Sequence, residues 1–120
     1  IKNQAKKTSF VGSLNWMPPE VLSNEGYDHK FDIWSLGITA IEMAQGKPPF
    51  FNLGELEVIR KVQLEEPPTL KDPKRWDPLF IDFIKSCLVK NPVKRPEAKD
   101  ILKQNEKFFE KAKDYNYLRD

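Results

Sequence analysis

Few side chains in this sequence have the type and spacing to do chemistry on their own. His29 is the only histidine and has no second ligand at a metal spacing, so it reads as a solvent-facing residue of a polar loop. Cys87 is the only cysteine and sits on an apolar helical stripe, where a thiol is buried and inert. Metal ligation and thiol chemistry are therefore not expected. The remaining polar groups of interest gather in three strings: Gly12-Ser13-Leu14-Asn15-Trp16-Met17-Pro18-Pro19-Glu20, Asp32-Ile33-Trp34-Ser35-Leu36-Gly37 and Asn91-Pro92-Val93-Lys94-Arg95-Pro96-Glu97-Ala98. Between them they offer two hydroxyls, three carboxylates, an ammonium and a guanidinium, groups that bind and position partners by hydrogen bonds and charge. Each string alone is a weak signal, since Trp-Met-Pro-Pro-Glu is also how a helix begins.

The elements that must position these strings are helical. The run from Asp32 to Ala44 is apolar nearly all round, with Ile33, Trp34, Leu36, Ile38, Ala40, Ile41 and Met43, which predicts a buried helix. Asp32 stands where an N-cap belongs, Gly46 is a stop signal, and Pro48-Pro49 forbids continuation. Residues 1–15 show no apolar period and read as a loop, and Pro18-Pro19-Glu20 opens a short helix through Leu22. Leu53 to Leu64 is an amphipathic helix with Leu56 and Ile59 inward, flanked by Leu53 or Val62. Asp77 caps the next helix with Pro78 in its first turn, and Leu79, Phe80, Phe83, Ile84, Cys87 and Leu88 form its stripe. A further helix near Pro96-Glu97 carries Ala98, Ile101 and Leu102 inward. Helical spacing continues at Phe108, Phe109, Ala112 and Tyr115. No stretch alternates with period two.

At 120 residues the chain is at most one domain. Its net charge is +2, from 20 basic and 18 acidic residues spread along the chain. Lys2, Lys6 and Lys7 read as a solvated loop, so neither nucleic acid nor a membrane is expected as a partner. The lone cysteine excludes an intramolecular disulfide and fits a reducing, cytoplasmic compartment. The chain opens on Ile1 rather than Met, as a piece of something longer would.

Taken together, in order and at this spacing, the three strings resemble the second half of a eukaryotic protein kinase domain. The first string is similar to the segment ending in Ala-Pro-Glu, the second to the central helix of the large lobe, the third to the Arg-Pro motif near the domain end. Residues 37–50 and 83–92 further resemble the sterile-twenty group of Ser/Thr kinases, in its germinal-centre or Hippo-like branch. The resemblance implies a mainly α fold: the carboxy-terminal large-lobe portion of the kinase fold, about five to six helices with a loop at the start. It divides the chain into a partial kinase domain over residues 1–105 and a helical tail over 106–120. Within the domain, 1–20 would be the end of the activation segment with the substrate-docking loop, and 21–105 the helical lobe.

What the resemblance implies for chemistry is phosphoryl transfer from ATP, with Mg²⁺, to a protein Ser or Thr. The parts that bind ATP and Mg²⁺ in that family are absent from the sequence, which has no Gly-x-Gly-x-x-Gly, no His-Arg-Asp and no Asp-Phe-Gly. The chain alone is accordingly expected to be inactive. By the same resemblance Ser9, with Thr8 beside it, falls where the activating phosphate is added by an upstream kinase or by trans-autophosphorylation. Ser13 would hold the acceptor hydroxyl in line, and Gly12, Leu14, Asn15 and Trp16 would shape the substrate pocket. Glu20 would pair with Arg95, Asp32 would accept backbone hydrogen bonds from a catalytic loop, and Gly37 belongs to the core. The chain departs from the family pattern at Leu14, Asn15 and Pro18. Asn15 takes apolar wall from the pocket and Pro18 removes a backbone donor. The alternative function is a pseudokinase or truncated binding module acting as an interaction scaffold.

Overall fold

The helix predicted over residues 32–44 is the axis of the fold. A computed structural model describes the backbone of residues 11–22 and 29–113, with side chains for 14–22 and 29–113. Thr8, Ser9 and Tyr115 lie outside the described residues, as does the side chain of Ser13, while Gly12 is described by its backbone alone. Among the described residues there are six α-helices and no strand: α1 (Pro19–Leu22), α2 (Lys30–Gln45), α3 (Glu55–Leu64), α4 (Pro78–Cys87), α5 (Ala98–Gln104) and α6 (Glu106–Ala112). Two short 3-10 turns, Val11–Trp16 and Pro73–Arg75, complete the set.

Helix α2 starts earlier than its sequence suggests. His29 is the N-cap and is already helical, so Asp32 falls in the first turn, exposed, instead of at the cap. A carboxylate there still faces the positive end of the helix dipole. Gly46 ends the helix with φ 87°, a left-handed conformation open to glycine, and its N–H donates to Glu42 O. Ile33, Trp34, Gly37, Ile38, Ala40 and Ile41 are buried. Leu36 and Met43, expected inside, are 44% and 80% exposed. The described residues thus cover one broad face of α2 and leave a stripe through Asp32, Leu36 and Met43 uncovered.

Helix α4 is the principal partner of α2. Asp77 Oδ1 accepts from Leu79 N at 2.8 Å, and Pro78 follows as the first helical residue, as a capped helix requires. Phe83, Ile84, Cys87 and Leu88 turn inward. Gly37 lets the two helices meet: a Cβ there would lie 2.8 Å from Cys87 Cβ and 2.8 Å from Leu88 Cδ2.

Three sequence readings are corrected by packing. Val11–Trp16 is a 3-10 turn and not a loop, because its i→i+3 bonds need no apolar period. In α3 the buried residues are Val58 and Val62, while Leu56 is 83% exposed. The helix carries apolar residues on two stripes, and the one facing α1 and the 3-10 turn is buried. In α5 only Ile101 is buried, Ala98 and Leu102 being exposed. That seven-residue helix, opened by a Glu97–Asp100 capping box, can present only one residue to the core. Buried Asn105 joins it to α6, donating to Ser86 Oγ at 3.0 Å and Ile101 O at 2.9 Å. Phe80, Phe83, Phe108 and Phe109 then stack α6 onto α4.

Candidate functional site

A proline-led turn and a late arginine build the site's foundation. Pro18 is fully buried, and its carbonyl accepts from Val21 N and Leu22 N, which starts α1 and points Glu20 inward. Glu20 is 5% exposed and Arg95 is 1% exposed. Arg95 Nη1 donates to Glu20 Oε2 at 2.7 Å and Nη2 to Glu20 Oε1 at 2.9 Å, a bidentate fork. The remaining donors reach backbone carbonyls: Nε to Val89 O at 2.7 Å, Nη1 to Lys30 O at 3.0 Å and Nη2 to Lys90 O at 3.2 Å. All five guanidinium N–H groups are used. The Trp34 ring lies 5.3 Å from the guanidinium carbon, adding a cation–π contact in the interior. One side chain thus ties α1, the start of α2 and the loop after α4 together.

The 3-10 turn ahead of α1 is held on that foundation by polar contacts the sequence reading did not single out. Ser35 Oγ donates to Trp16 O at 2.8 Å, and Trp16 Nε1 donates to Glu42 Oε1 at 3.2 Å. Asn15 Nδ2 donates to Pro49 O at 2.9 Å, so its amide fastens the turn to the loop after α2. Glu42 was visible in the sequence as a charge inside an apolar helix, a reliable sign of a specific partner. Ser35 carried no such signal. Leu14 and Trp16 are half-buried and pack against the core. The backbone of Gly12 and Ser13 lies in the same turn, three and two residues before Asn15.

The other singled-out residues fall elsewhere. Asp32 is exposed in the first turn of α2, and its carboxylate makes no hydrogen bond to a described residue. Gly37 is buried between α2 and α4. His29 lies 3.5 Å from Glu97 at the surface. Burial pushes the Cys87 thiol from its ordinary 9.0 up to about 12, only partly offset by a hydrogen bond with Ser86, so it stays protonated and unreactive. Among the described residues no three His, Cys, Asp or Glu side chains come together to hold a metal ion. None of the described helices is long and apolar enough to cross a membrane.

The arrangement positions; it presents a short turn on a rigid, buried ionic anchor. Comparison with known proteins gives this arrangement a family. The protein kinase domain model matches residues 1–108. A serine/threonine-protein kinase, dst4, from Dictyostelium discoideum is 50% identical over 115 residues, covering 92% of this chain and 23% of its own length. Two further kinases of that organism, serine/threonine-protein kinase dst1 and serine/threonine-protein kinase 4 homolog A, are 47% and 45% identical. They are matched over 97% and 95% of this chain and 16% and 25% of their own lengths. The chain spans a quarter or less of these relatives. With a family model matching nine-tenths of its length and a mainly helical fold without strands among the described residues, the chain belongs to the protein kinase domain family.

Proposed function

We propose that the protein carrying this chain transfers the γ-phosphate of ATP to Ser or Thr hydroxyls of protein substrates in the cytoplasm. Residues 1–105 form the large-lobe part of its kinase domain and residues 106–120 a helical tail at or beyond the domain end. The observation that supports this best is the Arg95 clasp: a fully satisfied guanidinium bolts the segment carrying Ser13 to the helical lobe. Phosphoryl transfer is mostly positioning and charge stabilisation, and a docking turn fixed in this way supplies positioning.

In this reading Ser13 holds the acceptor hydroxyl, and Gly12, Leu14, Asn15 and Trp16 shape the pocket beside it. Ser9 and Thr8 take the activating phosphate from an upstream kinase or in trans. Glu20, Arg95, Asp32 and Gly37 are architectural. ATP and Mg²⁺ are bound by parts of the domain outside residues 1–120, so the chain alone is inactive. A phosphotransfer assay with γ-labelled ATP tests both statements. The intact protein should label a Ser/Thr substrate and lose that labelling on Ser13→Ala, while the 120-residue chain labels nothing. An intact protein that transfers no phosphate, or a chain that does, overturns the reading.

A further inference from the structure

A groove of about 880 Å³ opens between the loop that follows α2 and the connection from α3 to α4. Its apolar lining is Pro48, Pro49, Phe50, Phe51, Pro68 and Trp76. Its charged lining is Lys47, Lys71 and Arg75, against the single carboxylate of Asp72. None of the three cations forms an ion pair with a described residue, and Lys47 Nζ lies 4.4 Å over the Phe51 ring. Three cations with one carboxylate give the groove a positive potential that attracts an anionic partner.

The groove is held open by specific contacts. Gln45 Oε1 accepts from Lys71 N at 2.7 Å, joining the end of α2 to the opposite side. Trp76 is tilted against Phe80 with ring centroids 6.0 Å apart, which anchors that side to α4. Asn15 fastens Pro49 from behind. Phe50, with φ 63°, and Asp72, with φ 50°, are the non-glycine residues of positive φ among the described residues, and both line the groove. Such a backbone is costly for a bulky residue such as Phe and persists only where its surroundings over-determine it. A preformed groove has little ordering entropy left to lose on binding.

We propose that this groove docks an acidic peptide segment of a partner protein. A proline or aromatic side chain of that segment seats among Pro48, Phe51 and Trp76, and its flanking carboxylates meet Lys47, Lys71 and Arg75. The proline and aromatic lining favours a peptide over nucleic acid, which would ask for a longer basic track. Docking requires neither ATP nor Ser13, so it stands or falls separately from the kinase reading.

Fluorescence anisotropy on the intact protein tests it with a labelled peptide carrying Phe-Pro between glutamates, and a control with lysines in their place. The acidic peptide should bind saturably, more weakly as salt rises, and about tenfold more weakly after Lys71→Glu/Arg75→Glu. Lys47→Ala, at an exposed position, should give a smaller loss with unchanged thermal unfolding, and it decides the matter if the double variant fails to fold. Equal binding of both peptides overturns the proposal, as does an affinity unmoved by either variant. So does a preference for single-stranded RNA or anionic vesicles, or a dimer in sedimentation that disappears with the charge reversal.

Discussion

The Arg95–Glu20 and Lys111–Asp77 pairs close at the same 2.7 Å, the first with side chains 0% and 5% exposed, the second with 49% and 19%. Arg95 spends every donor, two of them on a carboxylate and the rest on three backbone carbonyls. Lys111 reaches across from α6 to the cap of α4 and keeps half its surface in water. Separation therefore says little about what either pair is worth. In the interior, desolvation makes each partner indispensable to the other. At the rim, water and salt stand ready to replace the lost contact.

The contrast is broken most sharply at Glu20. Glu20→Ala should cost about 3–5 kcal/mol of unfolding free energy, because it strands a buried guanidinium. Urea denaturation measures it. The double variant Glu20→Leu/Arg95→Met should recover only part of that loss. Methionine relieves the stranded charge but leaves the carbonyls of Val89 and Lys90 without the donor that Arg95 gave them. A single-variant cost no larger than that of Lys111→Ala would erase the distinction between the two pairs.

The interior half of the comparison can be sharpened at Gly37, where packing alone is at stake. Gly37→Ala would press a methyl against Cys87 Cβ and Leu88 Cδ2 at 2.8 Å each. The first is the root of a side chain on α4 and can yield only if the helix moves. Overpacking of this kind costs about 1–3 kcal/mol by the same denaturation measurement. A cost near zero would mean that α4 slides freely on α2, and the interior would then not hold Arg95 so tightly either.

What the sequence made legible was local. The Gly46 stop and the Asp77-Pro78 cap were readable because each is settled within a few residues by backbone conformation and one side-chain oxygen. The inward face of α3 was not. Leu56, Val58, Ile59 and Val62 make two overlapping stripes, and only the position of α1 and the 3-10 turn selects Val58 and Val62. Asp32 was misplaced as a cap because a good capping residue also suits a first turn. Arg95 and Glu20 stand 75 positions apart, so no periodicity joins them, and only the motif resemblance sets them side by side. The contacts of Asn15 with Pro49 and of Trp16 with Glu42 are equally non-local and had no motif to announce them. The groove beside Trp76 is built from the loop after α2 and the connection from α3 to α4, and its chemistry exists only once Gln45 joins them.

The smallest expected effect is the one that fixes the rim's side of the scale. Lys111→Ala should cost roughly 0.2–1 kcal/mol, and less as ionic strength rises, since the pair is half in water. Asp77→Ala should cost more than its partner's removal, because Asp77 Oδ1 also accepts from Leu79 N and so caps α4. That cap adds about 1 kcal/mol, and salt should hardly change it. Measuring both variants in low and high salt separates the two roles of one carboxylate: the salt-sensitive part belongs to the ion pair and the remainder to the cap. If Lys111→Ala and Asp77→Ala cost the same at high salt, the cap contributes nothing, and α4 is held by its burial against α2 and the phenylalanines of α6 alone.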